Sequence, residues 1–168
     1  MTIEQDLLFR IDTQILWQPF VMHLNTALNA AAARGFRYVA TKGHRSYKEQ
    51  DALYAIGRTT GKLGRYVTKA KGGQSFHQFY CAADFVLDAS ATPGLQPDYE
   101  DAHFEVLAEE AVRAGLEAGY YWKFKDTPHL QIPASKWGLK VAELDEAYRR
   151  GGRLAVISVI EAKAPRGW

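Results

Sequence analysis

The sequence predicts an α+β protein that folds as a single domain over residues 1–168. The chain has 168 residues, 47% of them hydrophobic, which is within the usual range for one globular domain with a substantial core. Segments in which apolar residues recur at helical spacing alternate with short extended runs. Neither an internal repeat nor a low-complexity linker interrupts this alternation. We therefore expect helices and short strands around one core.

Two helices are predicted before the first strand. The first covers residues 2–9 and begins with the capping pattern TIEQ. The second covers residues 19–34 and stops at Gly35. Core packing is the expected role of both helices. The apolar residues that fall on one face of the second helix are Phe20, Leu24, Leu28 and Ala31.

A strand, a capped helix and a loop are predicted next. The run FRYVATKG, residues 36–43, is typical of a strand. In the following SYKEQDALYAIG, Ser46 is predicted to cap a helix, and Glu49 three residues later completes a capping box. Arg45 therefore lies at a strand-to-helix junction. Glycines and basic residues indicate a long surface loop over residues 57–73.

The middle of the chain is predicted to form a buried strand and a long helix. CAADFVL, residues 81–87, has the short apolar composition of a buried strand. A loop rich in Pro, Ala and Asp follows it. Helical periodicity then extends over residues 101–118, and Gly119 is the predicted stop.

The C-terminal part is predicted to begin with a strand at HLQI, residues 129–132. Residues 135–150 are predicted to form a helix that ends at Gly151 and Gly152. The last apolar run, residues 154–160, fits either a final strand or a buried helical turn.

The charge of the chain is small overall but unevenly distributed. The net charge is +2, yet residues 37–71 hold nine Lys or Arg against two acids, and residues 84–117 hold nine acids against one Arg. A basic region of this kind could attract a polyanion such as nucleic acid or a cell-wall peptide with several carboxylates. No RNA-binding, zinc-finger or helix-turn-helix pattern accompanies the charge, so we expect no nucleic-acid partner.

Membrane insertion and disulfide chemistry are not expected. No apolar run approaches the roughly 20 residues of a spanning helix, and the first residues carry acids where a signal peptide would be basic. We expect a soluble chain without a signal peptide, made in a cytoplasm. The single cysteine, Cys81, excludes an intramolecular disulfide and a cysteine-rich zinc knuckle. Any metal site must therefore use His, Asp or Glu.

Three polar residues near the predicted sheet could form such a site. His77 lies just before the strand that carries Asp84, and His129 begins a later strand, so pairing of these strands could bring the three together. Two imidazoles and one carboxylate suit zinc, and three protein ligands leave a fourth position open for water. Asp126 could then act as a general base. Spacing alone leaves the alternative open that these are ordinary surface or core histidines.

The same residues resemble a known family. SFHQFYCAAD matches the signature SxHxxGxAxD of zinc peptidoglycan peptidases, which include D-Ala-D-Ala carboxypeptidases and dipeptidases and the L-alanyl-D-glutamate endopeptidases of phage endolysins and bacterial wall hydrolases. The similarity covers about residues 39–131 and is strongest to the endolysin-type endopeptidases. Three further segments resemble the family in the right order, namely GHRSYKEQDALYAIGRT, VTKAKGGQSFH and GLEAGYYWKFKDTPHLQ.

The resemblance implies a role for each motif residue. It implies that His77, Asp84 and His129 bind Zn²⁺ and that Asp126 is the catalytic base. It also implies that Arg45 stabilises the negative charge that develops on the scissile carbonyl oxygen.

Three further positions in the motifs have open roles. Ser75 is the motif serine, and either a hydrogen bond near the site or a bond to the local backbone would account for it. Gln131 could orient a ligand or the substrate, although strand alternation also explains a polar residue there. Tyr80 stands where the signature has glycine, so either Tyr80 is strained or the local turn differs from that of the family.

The resemblance also implies fold and function. The fold would be like that of Hedgehog and the D-Ala-D-Ala peptidases, with helices flanking a small antiparallel sheet. The function would be zinc-dependent hydrolysis of peptidoglycan stem peptides at the L-Ala-D-Glu bond, by a phage endolysin or a cell-wall hydrolase. The alternatives are a D-Ala-D-Ala carboxypeptidase or dipeptidase, and a non-catalytic zinc module of the same fold. A non-catalytic module should lack the base and the arginine.

The cellular context follows from the same resemblance. The partner would be a peptidoglycan stem peptide, and we expect a monomer with no stable membrane insertion. A phage-encoded enzyme of this kind would be made in the host cytoplasm and would act in the periplasm or cell wall. Its release would then depend on a separate, holin-like partner that permeabilises the membrane.

Overall fold

The computed structural model describes residues 11–89 and 96–168. The helix predicted over residues 2–9 lies outside the described residues. The described part contains four α-helices and a five-stranded sheet, so the predicted α+β class is confirmed. The helices are α1 (Gln18–Ala33), α2 (Tyr47–Ala55), α3 (Glu105–Arg113) and α4 (Val141–Lys163). The strands are β1 (Tyr38–Lys42), β2 (Ala82–Asp88), β3 (Pro97–Asp98), β4 (Glu117–Ala118) and β5 (His129–Gln131).

Two compact units make up the chain, and each is formed by two separate stretches of sequence. The first unit comprises Met1–Gly43 and Cys81–Ala134, and it contains α1, α3 and the whole sheet. The second unit comprises His44–Tyr80 and Ser135–Trp168, and it contains α2, α4 and a short 3₁₀ helix, Phe76–Phe79. Across the described residues, no helix combines the length and the apolar character needed to span a membrane.

The sheet is antiparallel at every strand pair, as predicted. The strands lie in the order β1-β2-β5-β4, and β3 pairs with the end of β2. Asp84 on β2 lies opposite His129 on β5 and, on its other side, opposite Lys42 of β1. Residues that face each other across an antiparallel pair project their side chains on the same side of the sheet. The register therefore directs the side chains of Asp84 and His129 to one face.

The core of the first unit forms where α1 packs on α3 and on β1. All four residues predicted to lie on one face of α1 are fully buried. Tyr38 of β1 is also buried, and its hydroxyl donates a hydrogen bond to the backbone oxygen of His103. Helical periodicity thus identified the correct face of α1, and burial of its leucines and phenylalanine supplies most of the driving force for this packing.

The capping box predicted for α2 is present. The Ser46 hydroxyl accepts a hydrogen bond from the backbone N of Glu49, and the Glu49 carboxylate accepts one from the backbone N of Ser46 at 2.8 Å. Helix α2 therefore begins where the sequence predicts. Helix α1 and strands β1, β2 and β5 also lie within about two residues of their predicted positions. No helix and no strand of the sheet interrupts the predicted loop, residues 57–73.

The helix predicted over residues 101–118 is shorter than expected. A 3₁₀ helix, Asp101–Phe104, precedes α3, which ends at Arg113. Gly115 has φ of +85°, and Leu116 donates a backbone hydrogen bond to Ala111 O, which is the Schellman pattern of helix termination. Gly115 therefore stops the helix, and Gly119 instead begins another 3₁₀ helix.

The helix predicted over residues 135–150 also differs. Residues 135–140 are not helical, and α4 begins at Val141. At this start the side chain of Glu143 accepts a hydrogen bond from the backbone N of Lys140. Gly151 and Gly152 have non-helical φ and ψ, so the helical stretch that begins at Val141 is interrupted where the sequence predicts, and a second stretch continues beyond this kink to Lys163. The apolar run 154–160 is helical, which decides between the two predicted alternatives.

Candidate metal centre

Asp84 and His129 form the part of the candidate site that lies on the sheet. His129 Nδ1 is 3.1 Å from Asp84 Oδ1, and His129 Nε2 is 3.0 Å from Gln131 Oε1. His129 and Gln131 are both buried, and they are two residues apart on β5, so their side chains point to the same face. Gln131 therefore contacts the imidazole directly, as the orienting role predicted for it requires.

The charges around His129 favour a positive charge at this position. Burial by itself lowers the pKa of His129, but its hydrogen bond to the Asp84 carboxylate and the negative charges of Asp84 and Asp126 outweigh it, and the net shift is upward. A metal cation on the imidazole would compensate the same negative charges.

Asp126 lies in a tight turn just before β5. Its backbone N donates to Gly119 O at 3.1 Å, and its backbone O accepts from the N of His129 at 3.0 Å. A Cβ on residue 119 would overlap the backbone oxygen of Asp126, so only glycine allows this close approach. The turn is therefore held at both ends, and the Asp126 side chain is exposed.

His77 lies on the 3₁₀ helix Phe76–Phe79. The hydroxyl of Ser75 caps this helix and accepts a hydrogen bond from the backbone N of His77 at 3.4 Å. The backbone oxygen of His77 accepts one from the N of Arg45 at 3.1 Å. His77 is only 2% exposed. The observed contact of Ser75 is with local backbone, which matches the second of its two predicted roles.

The three histidine and aspartate residues predicted as ligands come together. His77, Asp84 and His129 each offer one ligand atom, and these atoms all lie within 4.8 Å of one another. Two imidazole nitrogens and one carboxylate oxygen make a donor set that Zn²⁺ binds readily, and three protein ligands leave a coordination position open. The group could therefore hold a metal ion.

Arg45 is fixed by a buried glutamine that sequence reasoning missed. Arg45 Nη1 donates to Gln50 Oε1 at 2.9 Å, and Gln78 Nε2 donates to the same oxygen at 3.3 Å. Gln50 Nε2 in turn donates to Ala70 O at 2.8 Å. Gln50 and Gln78 are each 1% exposed. A pair of buried amides thus orients the guanidinium and links it to the residue next to His77.

The sequence did contain a weak signal for this network. Gln50 is the one buried side chain of α2, a helix otherwise turned toward solvent. Its position in the second turn after a capping box placed it on a predictable face, but helical periodicity counts apolar residues and therefore passes over a buried amide.

Tyr80, which stands at the glycine position of the signature, adopts a left-handed backbone conformation. Its φ of +66° makes it the one residue other than glycine with positive φ among the described residues. Tyr80 ends the 3₁₀ helix that carries His77, and its ring stacks on His44 at a centroid distance of 4.9 Å. The first of the two predicted outcomes is observed, because a left-handed backbone strains a residue with a side chain. The adjacent Cys81 is fully buried, and burial raises the pKa of its thiol, which suits packing.

The chain is similar to known peptidoglycan peptidases. A family model described as VanY, D-alanyl-D-alanine carboxypeptidase, matches residues 14–140, more than half of the chain. The peptidoglycan L-alanyl-D-glutamate endopeptidase CwlK of Bacillus subtilis (strain 168) is 43% identical over 122 residues, which are 68% of this chain and 72% of CwlK.

Two solved structures share the fold. The L-Ala D-Glu endopeptidase ChiX of Serratia marcescens superposes with a TM-score of 0.59 at 19% identity, over 79% of this chain and 95% of ChiX. The vancomycin resistance D,D-pentapeptidase VanY, solved in complex with Zn(II), superposes with a TM-score of 0.52 at 21% identity, over 79% of this chain and 82% of VanY. The predicted peptidase fold is therefore confirmed.

Proposed function

The chain belongs to the VanY family of D-alanyl-D-alanine carboxypeptidases, and from this premise we propose that it is a zinc-dependent peptidase that cleaves the L-Ala-D-Glu bond of peptidoglycan stem peptides. The observation that carries the proposal is the cluster of His77, Asp84 and His129, which offers a metal ion two imidazoles and a carboxylate. The choice of bond is supported by the 43% identity to an enzyme named for that activity.

Zinc fits these residues by the chemistry of the donors. When bound, the ion would polarise the scissile carbonyl and bring the pKa of a water to about 7. Gln131 holds the imidazole of His129 through its amide oxygen, and Ser75 caps the helix that carries His77. Both residues therefore act on ligand orientation, which raises metal affinity without a direct bond to the metal.

Two residues of this chain would perform the proton transfer and charge stabilisation. Asp126 accepts a proton from the attacking water and returns it to the nitrogen of the leaving amine, so the carboxylate is regenerated in each turnover. Arg45 donates hydrogen bonds to the carbonyl oxygen as negative charge develops there. Support for these roles comes from the matched motifs, from the exposed carboxylate of Asp126, and from the buried amides that fix Arg45.

We include both compact units in one peptidase domain, residues 1–168. The motif residues support this, because Arg45 and His77 come from the second unit whereas Asp84, Asp126 and His129 come from the first. The match to the family model, residues 14–140, also includes parts of both. We expect this domain to act as a monomer.

A D-Ala-D-Ala carboxypeptidase is the second candidate, because the description of the matching family model names that activity. Digestion of purified stem peptides and analysis of the products by mass spectrometry separates the candidates. The proposal predicts new fragments with N-terminal D-Glu. Release of terminal D-Ala would instead support the carboxypeptidase. New reducing sugar ends without peptide cleavage would contradict both, because they indicate a glycosidase.

A role as a phage endolysin or wall hydrolase belongs to the same proposal. Its support is the resemblance of the motif segments to endolysin-type endopeptidases. In that setting the enzyme acts on the cell wall after release from the cytoplasm with the help of a holin-like partner. Lysis of cells that produce the protein together with such a partner, and not of cells that produce it alone, is the expected result.

A further inference from the structure

Arg58 occupies an unusual environment just after α2. Its guanidinium lies over the ring of Tyr54 at 3.7 Å and over the ring of Tyr66 at 4.6 Å from the ring centroids. Its Nη1 donates hydrogen bonds to the backbone oxygens of Tyr54 and Thr68. Lys71 Nζ lies 5.2 Å from the centroid of the same Tyr54 ring. Two cations therefore share one aromatic group, and the orientation of Arg58 is fixed.

The loop that follows Arg58 is folded back on its own start. Gly57 donates a backbone hydrogen bond to Thr60 O at 2.8 Å, and Gly64 donates one to Gly57 O at 2.8 Å. A Cβ on residue 57 would overlap the backbone oxygen of Arg65, so the two ends of the loop are in contact. The loop thus presents Arg65 and Tyr66 beside Arg58 in a hydrogen-bonded arrangement.

Arg58 itself has no acidic partner. Among the described residues, no ion pair joins a carboxylate to Arg58, and the hydrogen bonds of its guanidinium are those of Nη1. The nearest acid in the sequence, Asp51, accepts a hydrogen bond from the backbone N of Gly72 at 2.8 Å. Residues 52–83 contain no Asp or Glu. The side chains of Lys62, Arg65 and Lys71 are exposed around the loop, and Tyr66 is 62% exposed. A half-buried guanidinium is usually paired, so its free edge is unexpected.

We propose that Arg58 and its neighbours form an anion subsite that binds carboxylates of peptidoglycan, separate from the residues assigned to the metal centre. The free Nε and Nη2 of a fixed guanidinium match the two oxygens of a carboxylate, and the surrounding lysines and Arg65 attract a polymer that repeats this group. The exposed ring of Tyr66 offers a face for the apolar side of a sugar or peptide. This inference rests on the proposed function, which supplies a substrate polymer rich in carboxylates.

The subsite can be tested by binding of the intact protein to purified sacculi in the presence of a chelator, which prevents cleavage. We expect Arg58→Gln, which keeps an N–H donor for the loop carbonyls, to weaken binding by about tenfold. Amidation of the sacculus carboxylates should weaken binding of the unaltered protein to a similar extent, and should have little further effect on the variant. The matched control is Arg150→Gln, because Arg150 is exposed and lies outside this loop.

If Arg58→Gln unfolds the loop, the double variant Lys62→Gln, Arg65→Gln tests the proposal instead, because both side chains are exposed. This variant should bind sacculi more weakly, and its binding should depend less on salt. Its melting temperature should stay near that of the unaltered protein. Unchanged binding of both variants to sacculi would overturn the proposal. The proposal would also be overturned if the variants lost binding to DNA or to anionic vesicles but still bound sacculi. Cleavage of soluble stem peptides tests the proposed function separately.

Discussion

Single residues carry the proposed mechanism, and Tyr80 shows how one residue can satisfy two demands. The backbone turn after His77 requires positive φ, which costs a residue with a side chain roughly 1–2 kcal/mol. The Tyr80 side chain is 5% exposed and stacks on His44. Burial of an aromatic ring contributes roughly 1.5–3 kcal/mol, which is enough to offset the strain. Tyr80 can therefore replace the signature glycine without loss of the turn.

Asp126 and His129 are three positions apart, but substitutions of the two residues should have different effects. His129→Ala removes a proposed zinc ligand, so zinc affinity and the stability that zinc supplies should both fall. Asp126→Asn keeps the size of the side chain but cannot accept a proton. Its zinc content and melting temperature should stay near those of the unaltered protein, while turnover falls by roughly 10²–10⁴-fold.

The same pair of variants tests the alternative that Asp126 only stabilises the turn before β5. Under that alternative, Asp126→Asn would lower the melting temperature and leave the specific activity of the folded protein largely intact. An Asp126→Asn protein that binds zinc and cleaves stem peptides at the normal rate would exclude a catalytic role for Asp126, even with the metal site intact.

Gln50 should act on catalysis through Arg45. Gln50→Leu removes the amide oxygen that holds the guanidinium, and we expect kcat to fall on the order of 10-fold to 100-fold with little change in KM. Gln50→Glu keeps an oxygen acceptor for Arg45 and should retain more activity than Gln50→Leu. If both variants lose activity only in proportion to the folded fraction, measured by thermal unfolding, then Gln50 has a structural role alone.

The cluster of candidate metal ligands could be predicted from the sequence, and the buried residues around it could not. His77, Asp84, Asp126 and His129 match positions in the family's motifs, and this resemblance located them where spacing alone left ordinary histidines as an alternative. The role of Gln50 depends on its burial and its contacts, and both arise only when α2 and the loop of residues 57–73 have folded. An isolated glutamine on a polar helix gives no such signal in the sequence.

At the scale of elements, the errors of prediction occur at helix ends. Periodicity extended the helix of residues 101–118 past Gly115, because Leu116 continues the apolar spacing even though it follows the Schellman turn. The helix of residues 135–150 was started too early for a similar reason, since Trp137 and Leu139 fit the pattern without being helical. The predicted positions of the strands and of α2 were more accurate. Short apolar runs define the strands, and the capping box defines the start of α2.

Gly119 is the element boundary that should matter most for activity. Gly119→Ala would force its new methyl group against the backbone oxygen of Asp126 and displace the turn, at a cost of roughly 1–3 kcal/mol in the free energy of unfolding. Cleavage rate should fall as well, because Asp126 moves with the turn. Gly138→Ala is the control: its φ is +63° but the space around it is open, so about 1 kcal/mol of stability and no activity should be lost.

A contact between α2 and α4 that includes the Asp145 carboxylate should make the stability of the protein depend on pH. Tyr47 Oη donates to Asp145 Oδ1 at 2.7 Å, and Arg149 Nε donates to Asp145 Oδ2 at 3.0 Å. Burial alone would raise the pKa of Asp145, but these two hydrogen bonds outweigh it and lower the pKa from its usual 3.8. The stabilisation is therefore present above pH 3.8 and is lost as pH falls through the lower, folded-state pKa.

Asp145→Asn should reveal this contribution. At pH 7 the free energy of unfolding should fall by about 1 kcal/mol, a value kept small by the partial exposure of the carboxylate. As pH falls below 3.8, the stability of the variant should decline less steeply than that of the unaltered protein. Chemical unfolding at a series of pH values measures both effects. Glu146→Gln, at an exposed neighbouring position, should change stability at pH 7 by less than about 0.5 kcal/mol.

For the whole molecule, the uneven distribution of charge agrees with a substrate that bears several carboxylates. The basic residues are concentrated at 37–71, the stretch that contains Arg45 and Arg58. Charges of this sign raise the local concentration of an anionic polymer and increase its rate of association, most strongly at low salt. The proposed oxyanion contact of Arg45 and the proposed carboxylate site at Arg58 thus lie in the same basic stretch.

The central claim is that cleavage of the L-Ala-D-Glu bond depends on zinc held by His77, Asp84 and His129. The most direct test removes metal with a chelator and then measures bound zinc and cleavage of a soluble stem peptide on the same samples as zinc is returned. We predict that activity rises in proportion to bound zinc and reaches its plateau at about one ion per chain. Full cleavage by the metal-free protein, or an activity that does not follow zinc content, would contradict the account.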